Sequence, residues 1–356
     1  MPSFRSGTVT RLLVERPGLQ RVEVDLGEGP ERAYVLLQLT GTVALGDRVV
    51  VNTTAVELGL GTGGWHVVHW NLERGSWSER GPGHIIKSRY TSLQADVGSS
   101  EEHLESLAEV ESIDSLPVVV AALHSQLPAV AVAVKERHPT ARLVYVMTDG
   151  AGLPLALSDL VFELCARGLV DATITCGHAF GGDFEAVSIF SALAVAKHVA
   201  HADVAVVAMG PGIVGTNTRL GFSGMEVGPI LDAVAALQGV PIAALRVSFA
   251  DPRPRHHGLS HHSATALRLA CRERVRVALP LIGGDEEARV RADLSAAGID
   301  TRHDVVEVEI PDILGLFAAH DLDIVSMGRR AAEDPVLFQA AGAAGVVAVD
   351  AMRPRP

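Results

Sequence analysis

The sequence predicts an α/β protein: a mostly parallel, Rossmann-like sheet with helices on both faces, preceded by a small β-barrel-like N-terminal domain. Three observations lead there. From residue 117 onward, short apolar runs alternate with helical patterns, the signature of a sheet covered by helices. Before residue 73, apolar and polar residues alternate with period two and no helical pattern of useful length occurs. Hydrophobic residues make up 48% of the chain but aromatics only 4%. The interior is therefore Ala, Val, Leu and Ile, which suits strands buried on both faces.

The 356 residues are enough for about two domains. The expected division is 1–75 for the β unit, 76–116 for a polar connection and 117–356 for the α/β unit. A net charge of -12 argues against nucleic acid or an anionic membrane as the main partner. Cys165, Cys176 and Cys271 show no metal or redox spacing, so a reducing cytoplasm is expected. The opening MPSFRSGTVTR lacks the apolar run of a signal peptide. The stretch 117–134 approaches the length of a membrane span, but His124, Ser125 and Gln126 interrupt it and Pro128 follows. Strand, polar turn and helix is the better reading, and a soluble protein is expected.

In the first unit, RVEVDL, AYVLLQL and DRVVVNTTAVEL have strand periodicity, and Pro17-Gly18, Gly29-Pro30 and Gly46-Asp47 supply turns. In GLGTGGWHVVHWNL, Trp65 and Trp70 are expected to pack into the barrel, with a binding rim as the alternative. The connection is rich in Gly, Ser and Glu, with a short acidic helix expected at 100–108 behind Ser99 or Ser100. Within it GHIIKSRY carries Lys87, one of three lysines, and Arg89. A solvated strand or a domain contact explains them, and so does presentation of both cations to a phosphate or carboxylate.

In the second unit, strands are expected at 118–123, 143–148, 172–176, 204–209, 242–247, 275–279, 305–308, 324–326 and 346–349. Helices are expected at 153–167, 183–201, 226–237, 262–273, 285–297, 313–319 and 335–343. The run 305–310 alternates with Glu307 and Glu309, as an edge strand with one wet face would.

The residues that follow these strands are unevenly distributed. His124-Ser125, Asp149-Gly150, Gly177-His178, Gly181-Gly182-Asp183, GPGIVG, SFADPRPRHHGLSHHS and Gly328-Arg329-Arg330 all come after strands, whereas turns such as ARGLVDA are plain. In a parallel sheet the first group gathers at the carboxyl rim, where ligands bind. Capping explains the glycines and Asp183, but not the histidines.

GPGIVG matches the dinucleotide fingerprint, but TNTRLGFSG intervenes before helical pattern resumes near Glu226, and no acid stands at the next strand end. A glycine-rich loop offering backbone N–H groups to an anion is the better reading, with Gly210, Gly212, Gly215 and Thr216 as its ligand-binding residues and Thr218 and Arg219 as further donors. His256, His257, His261 and His262 follow the next strand, and Ser260 is the expected N-cap of the helix after it. A helix start lowers imidazole pKa values, and neutral imidazole serves a metal or a general base. The candidate catalytic residues are His178, His261, His262 and Asp149. The candidate metal ligands are His257, His261, His262, His178 and Asp183.

GHIIKSRYTSLQ, MGPGIVGTNTRLGFSG and DPRPRHHGLSHHS together resemble a bacterial family defined by a domain of unknown function. The resemblance covers nearly the full chain. The family pattern carries Leu and Pro where Ser88 and Ser92 stand. The resemblance brings no activity with it, so the functional reading rests on the residues.

That reading is an enzyme acting on a small anionic metabolite or nucleotide-like ligand at the carboxyl rim, by hydrolysis or group transfer. Lys87, Arg89 or Arg329 would hold the anion, and a divalent metal is the candidate cofactor. A homo-oligomer stays open. The alternatives are a non-catalytic ligand-binding or regulatory protein and a dinucleotide-dependent oxidoreductase.

Overall fold

The computed structural model describes residues 1–61, 63–150 and 154–352. Thr62 of the glycine-rich stretch and Leu153, the expected start of one helix, lie outside them. The chain divides into two compact units, Met1–Gly98 and Ser99–Pro356.

In the first unit β1 (Phe4–Arg16), β2 (Leu19–Asp25), β3 (Pro30–Leu36), β4 (Arg48–Asn52) and β5 (Trp65–Asn71) close into a barrel in the order β1-β2-β3-β5-β4. β1 is long enough to serve two neighbours. Residues 4–8 pair with β4 and residues 8–16 with β2. Small aliphatic side chains, among them Val9, Val22, Ala33, Val49 and Val68, fill the interior. Two expected strand runs end early in helical turns, α1 (Leu37–Thr40) and α2 (Thr54–Glu57). Trp65 and Trp70 are not in the barrel's apolar cluster. Both are half-buried, because His66 and Val68 take the inward positions of β5. Trp65 stacks on Tyr34 at 4.8 Å, with the Arg32 guanidinium 4.9 Å from its centroid. A two-stranded ribbon of β6 (Ile86–Lys87) and β7 (Ala95–Asp96) follows.

The second unit begins with 3-10 turns at Ser100–Glu102 and Glu105–Leu107, where a single acidic helix was expected, and Ser99 makes no side-chain cap. Its main sheet comprises β8 (Pro117–Ala121), β9 (Leu143–Thr148), β10 (Ala172–Cys176), β11 (Phe184–Ala186), β12 (Val204–Met209), β13 (Val240–Ala244), β16 (Arg276–Pro280) and β17 (Asp304–Val308). All eight strands are parallel, in the order β11-β10-β9-β12-β8-β13-β16-β17. β17 is an edge with Glu307 exposed, as its alternation predicts.

Alternate residues of the central strands feed two apolar layers, because both faces are covered. Val118, Val120, Val144 and Val207 pack with α5 (Ile189–His198), α6 (Val227–Ala236) and α8 (Gly284–Ala296). Val119, Leu143, Tyr145 and Val206 pack with α3 (Leu127–Arg137), α4 (Asp159–Ala166), α10 (Ile313–Ala319) and α11 (Pro335–Asp350). Two short helices complete the set, α7 (His261–Thr265) and α9 (Ile299–Arg302). α7 runs on into a π-helical turn at Ala266–Ala270. No helix among the described residues is long and apolar enough to cross a membrane.

Four expectations need correction. The run 346–349 is not a strand but the end of α11, a 16-residue helix buried almost all round. A short apolar run cannot be assigned by periodicity alone. The segment at 183 begins as edge strand β11, because the Asp183 carboxylate accepts from the backbone N–H and hydroxyl of Thr173 and holds it beside β10. The helix there starts only after Ser188, whose hydroxyl accepts from Ser191 N–H. The strand expected at 242–247 leaves the sheet after Ala244, and Val247–Ser248 (β14) pairs instead with Gly258–Leu259 (β15). The run 324–326 is outside the main sheet and forms a hairpin of β18 (Val325–Ser326) and β19 (Arg329–Arg330).

Candidate functional site

Beyond β13 the chain builds a cluster of imidazoles and guanidiniums. Pro254 opens a 3-10 turn, Pro254–His256, which turns His256 into the interior and leaves His257 exposed. Ser260 caps α7 through its hydroxyl, which accepts from His262 N–H at 3.2 Å. Nitrogens of His256, His261 and His262 lie within 4.8 Å of one another. His262 lies flat against Phe222, with 3.8 Å between centroids and 2° between planes.

Each ring's protonation follows from its partners. An arginine only donates. Arg246 Nη1 stands 3.2 Å from His262 Nδ1, and Arg255 Nε stands 3.3 Å from His256 Nε2. Both nitrogens therefore carry lone pairs. His256 donates its remaining proton from Nδ1 to Ser260 Oγ at 2.7 Å. Burial first, and then the Arg246 cation, push His256 and His262 down to about 3. His261 is lowered by burial, then by Arg255, Arg246, Arg219 and Arg253. The rings are thus held neutral by desolvation and cationic neighbours.

The three rings are close enough to hold a metal ion, but a dication would have to displace two guanidiniums. Two of the three rings have spent a lone pair on a guanidinium, and their other nitrogens carry protons. A dication would also meet the arginines that already depress the rings. What the cluster leaves open is His261 Nε2, which is buried with no hydrogen-bond partner among the described residues.

Beneath the imidazoles runs an ion-pair network. The Asp251 carboxylate is fully buried and lies 2.6 Å from Arg253, 3.6 Å from Arg246 and 3.7 Å from Arg329. Burial alone would raise its pKa, but hydrogen bonds from Arg253 outweigh that and hold it well below the usual range. Asp334 accepts from Ser248 Oγ at 2.7 Å and from Arg329 Nη2 at 3.0 Å. Arg329 is thereby committed to Asp334 and Asp251.

A pocket of about 320 Å³ opens beside His261, lined by Arg219, Arg255, Arg268 and His257 and by the mutually paired Arg289 and Asp293, among others. No carboxylate pairs with Arg219, Arg255 or Arg268 among the described residues. Arg255 does donate to Asn217 Oδ1 at 2.6 Å, which ties the pocket to the glycine-rich loop.

That loop does not turn directly into a helix. It leaves β12 at Gly210 and bridges back on itself at Gly215 and Phe222, and α6 begins only at Val227. Thr216 N–H and Oγ1 both bond to Gly221 O, so Thr216 knits the loop. Gly212 has φ of 116°, a conformation that disfavours any side chain. The loop's two ends serve different places. Gly215 approaches His262, whereas Gly210 and Gly212 line a second cleft of about 340 Å³ with His124, Ser158 and Ser326.

Of the other predicted residues, Asp149 and His178 meet. Asp149 is exposed at the end of β9, and its Oδ2 accepts from His178 N–H at 3.3 Å. His178 is not among the clustered imidazoles. Asp183 is bound to Thr173. Lys87 is buried in β6 and Arg89 is exposed beside it, both in the first unit.

Several site residues escaped sequence reasoning. His256 was visible in the motif, and Pro254 was the signal that it, rather than His257, turns inward. Glu226 receives Thr148 Oγ1–H at 2.7 Å. Burial raises it to about 6, opposed by that hydrogen bond and aided by Asp149. Nothing in the sequence joins it to Asp149.

No curated protein matches the chain. The profile of the DUF3866 family, described as a protein of unknown function, matches residues 32–345, and the chain belongs to that family.

Proposed function

We propose that the α/β unit is an enzyme acting on a small anionic substrate in the arginine-lined pocket beside His261. One observation carries this reading: His261 Nε2, buried and without a hydrogen-bond partner among the described residues, belongs to a side chain lining the same pocket as Arg219, Arg255 and Arg268. A buried polar atom without a partner asks for a ligand that supplies one. Unpaired guanidiniums favour a phosphate or carboxylate that accepts two hydrogen bonds at once. A neutral imidazole at that point gives or takes a proton as the substrate reacts. This reading uses hydrolysis or group transfer without a metal.

The test is calorimetric titration with inorganic phosphate, pyrophosphate and a dicarboxylate, followed by turnover of phosphate esters. Arg219 and Arg268 are exposed, so the double variant Arg219→Ala/Arg268→Ala should fold and bind the anion at least tenfold more weakly. His261→Gln should retain binding and lose turnover. Anion affinity unchanged in the double arginine variant would overturn the reading. Binding without turnover in the wild type would leave the non-catalytic alternative. One equivalent of zinc retained by the purified protein would favour the metal instead.

A further inference from the structure

The cleft beside Gly210 and Gly212 shares no lining residue with the arginine pocket. It opens where β8 and β12 end side by side. The connection leaving β8 carries α3 on one face of the sheet, and the one leaving β12 carries α6 on the other. Open α/β sheets bind ligands at such a divergence.

On the wall of this cleft Ser158 Oγ lies 2.7 Å from His124 Nε2. Across the ring, His124 Nδ1 lies 3.1 Å from the Tyr145 hydroxyl. That hydroxyl donates toward the carbonyl oxygens of Ala208 and Met209, at 3.1 and 3.3 Å. With its proton committed, the Tyr145 oxygen accepts, so the imidazole proton sits on Nδ1 and Nε2 keeps its lone pair. The Ser158 hydroxyl proton is thereby directed at Nε2, the arrangement a serine nucleophile requires of its base. Val161 N–H also donates to Ser158 Oγ, at 3.0 Å. A helix cap needs only that last contact. It needs neither an imidazole from the end of another strand nor a buried tyrosine fixing its tautomer. Burial keeps His124 neutral, at about 4.

We infer that Ser158 is a nucleophile, with His124 as its base and Tyr145 as a positioning residue, acting on uncharged carboxylic esters or thioesters with a short apolar acyl group. The walls give the class. Leu123, Leu157, Ile213 and Met327 are apolar, which favours an uncharged substrate. In the reaction Ser158 Oγ bonds to the acyl carbon, its proton moves to His124 Nε2, and the carbonyl electron pair moves to oxygen. Collapse breaks the bond to the leaving alcohol or thiol, which takes the proton from Nε2. Water then attacks the acyl carbon and gives a proton to Nε2. Ser158 departs with that proton, and a carboxylic acid is released. This inference stands on its own cleft and survives failure of the anion reading.

The test is covalent labelling of the full chain with a fluorophosphonate, which forms an Oγ–P bond and expels fluoride, read by intact mass and peptide mapping. Hydrolysis of p-nitrophenyl butyrate is measured alongside. The expected result is one adduct, on Ser158. Ser158→Asn retains an acceptor for Val161 N–H and so keeps the cap; it should melt within a few degrees of the wild type and lose labelling and hydrolysis at least a hundredfold. His124→Gln should lose both without touching the nucleophile. Tyr145→Phe should slow labelling about tenfold and shift its pH profile, which loss of packing alone would not do. A folded wild type that takes no adduct on Ser158, or hydrolysis undiminished in Ser158→Asn, overturns the inference.

Discussion

The imidazole of His262 and the ring of Phe222 lie parallel, 3.8 Å apart between centroids. Phe222 also closes the glycine-rich loop through its bridge to Gly215. One aromatic contact therefore couples the loop to the imidazole cluster. Phe222→Ala should cost about 3 kcal/mol, as loss of a buried ring does, and Phe222→Leu about half of that. Both should weaken phosphate binding several-fold, because Arg255 reaches the loop through Asn217. Urea melts and calorimetry on the two variants check this. Full affinity in a destabilised variant would mean that the loop is held by other contacts.

Asp251 anchors the cations beneath the cluster. Asp251→Asn removes the charge that offsets Arg246, a guanidinium only 3% exposed. Breaking one partner of a buried pair typically costs about 3–5 kcal/mol, and the variant should show a correspondingly lower urea midpoint. A loss below about 1 kcal/mol would show that Arg253 and Arg329 rearrange to compensate.

Acid should unfold the α/β unit early. His124, His256 and His262 have folded pKa values of about 4, 3 and 3, below the ordinary 6.5. For a group so depressed, the unfolded chain binds the proton first. The stabilisation is complete above pH 6.5 and is lost as pH falls toward those folded values, at about 1.4 kcal/mol per unit for each ring. Urea midpoints between pH 7.5 and 4.5 should fall steeply, and His124→Gln should flatten the slope. A midpoint constant from pH 7 to 5 would contradict the buried, neutral rings.

Gly212→Ala should destabilise the protein by about 1–3 kcal/mol, since a φ of 116° strains any residue with a Cβ. Melting temperature reads this directly. An unchanged value would mean that the loop relaxes without loss.

Much of the architecture was legible because it rests on local signals. Apolar β9, β10 and β12 match the expected strands residue for residue, bounded as they are by polar turns. The sequence failed where tertiary contact decides. Val346 and Val347 are as apolar as any strand, and only packing of α11 against α3 makes them helical: Gly345 approaches α3 so closely that a Cβ there would stand 2.7 Å from Val130 O. At the site, Ser260 announced its own cap. The bond between His124 and Ser158 joins the end of one strand to a helix start 34 residues later, and no periodicity records it. The arginines of the pocket, Arg219, Arg255, Arg268 and Arg289, come from four separate segments, so only Arg255 stood in the sequence beside the histidines.

The position of β8 fixes an order of events during synthesis. It is the first strand of its sheet to leave the ribosome, yet it pairs only with β12 and β13. β9, β10 and β11 emerge in between, and β9 must be held one strand's width away until β12 arrives. For that interval a strand that is buried along its whole length in the folded protein has both hydrogen-bonding edges unfilled, the state in which nascent chains associate with one another. Polypeptides released before Met209 would therefore be the ones that chaperones must hold, whereas release a little after Ala244 would already leave the centre of the sheet closed.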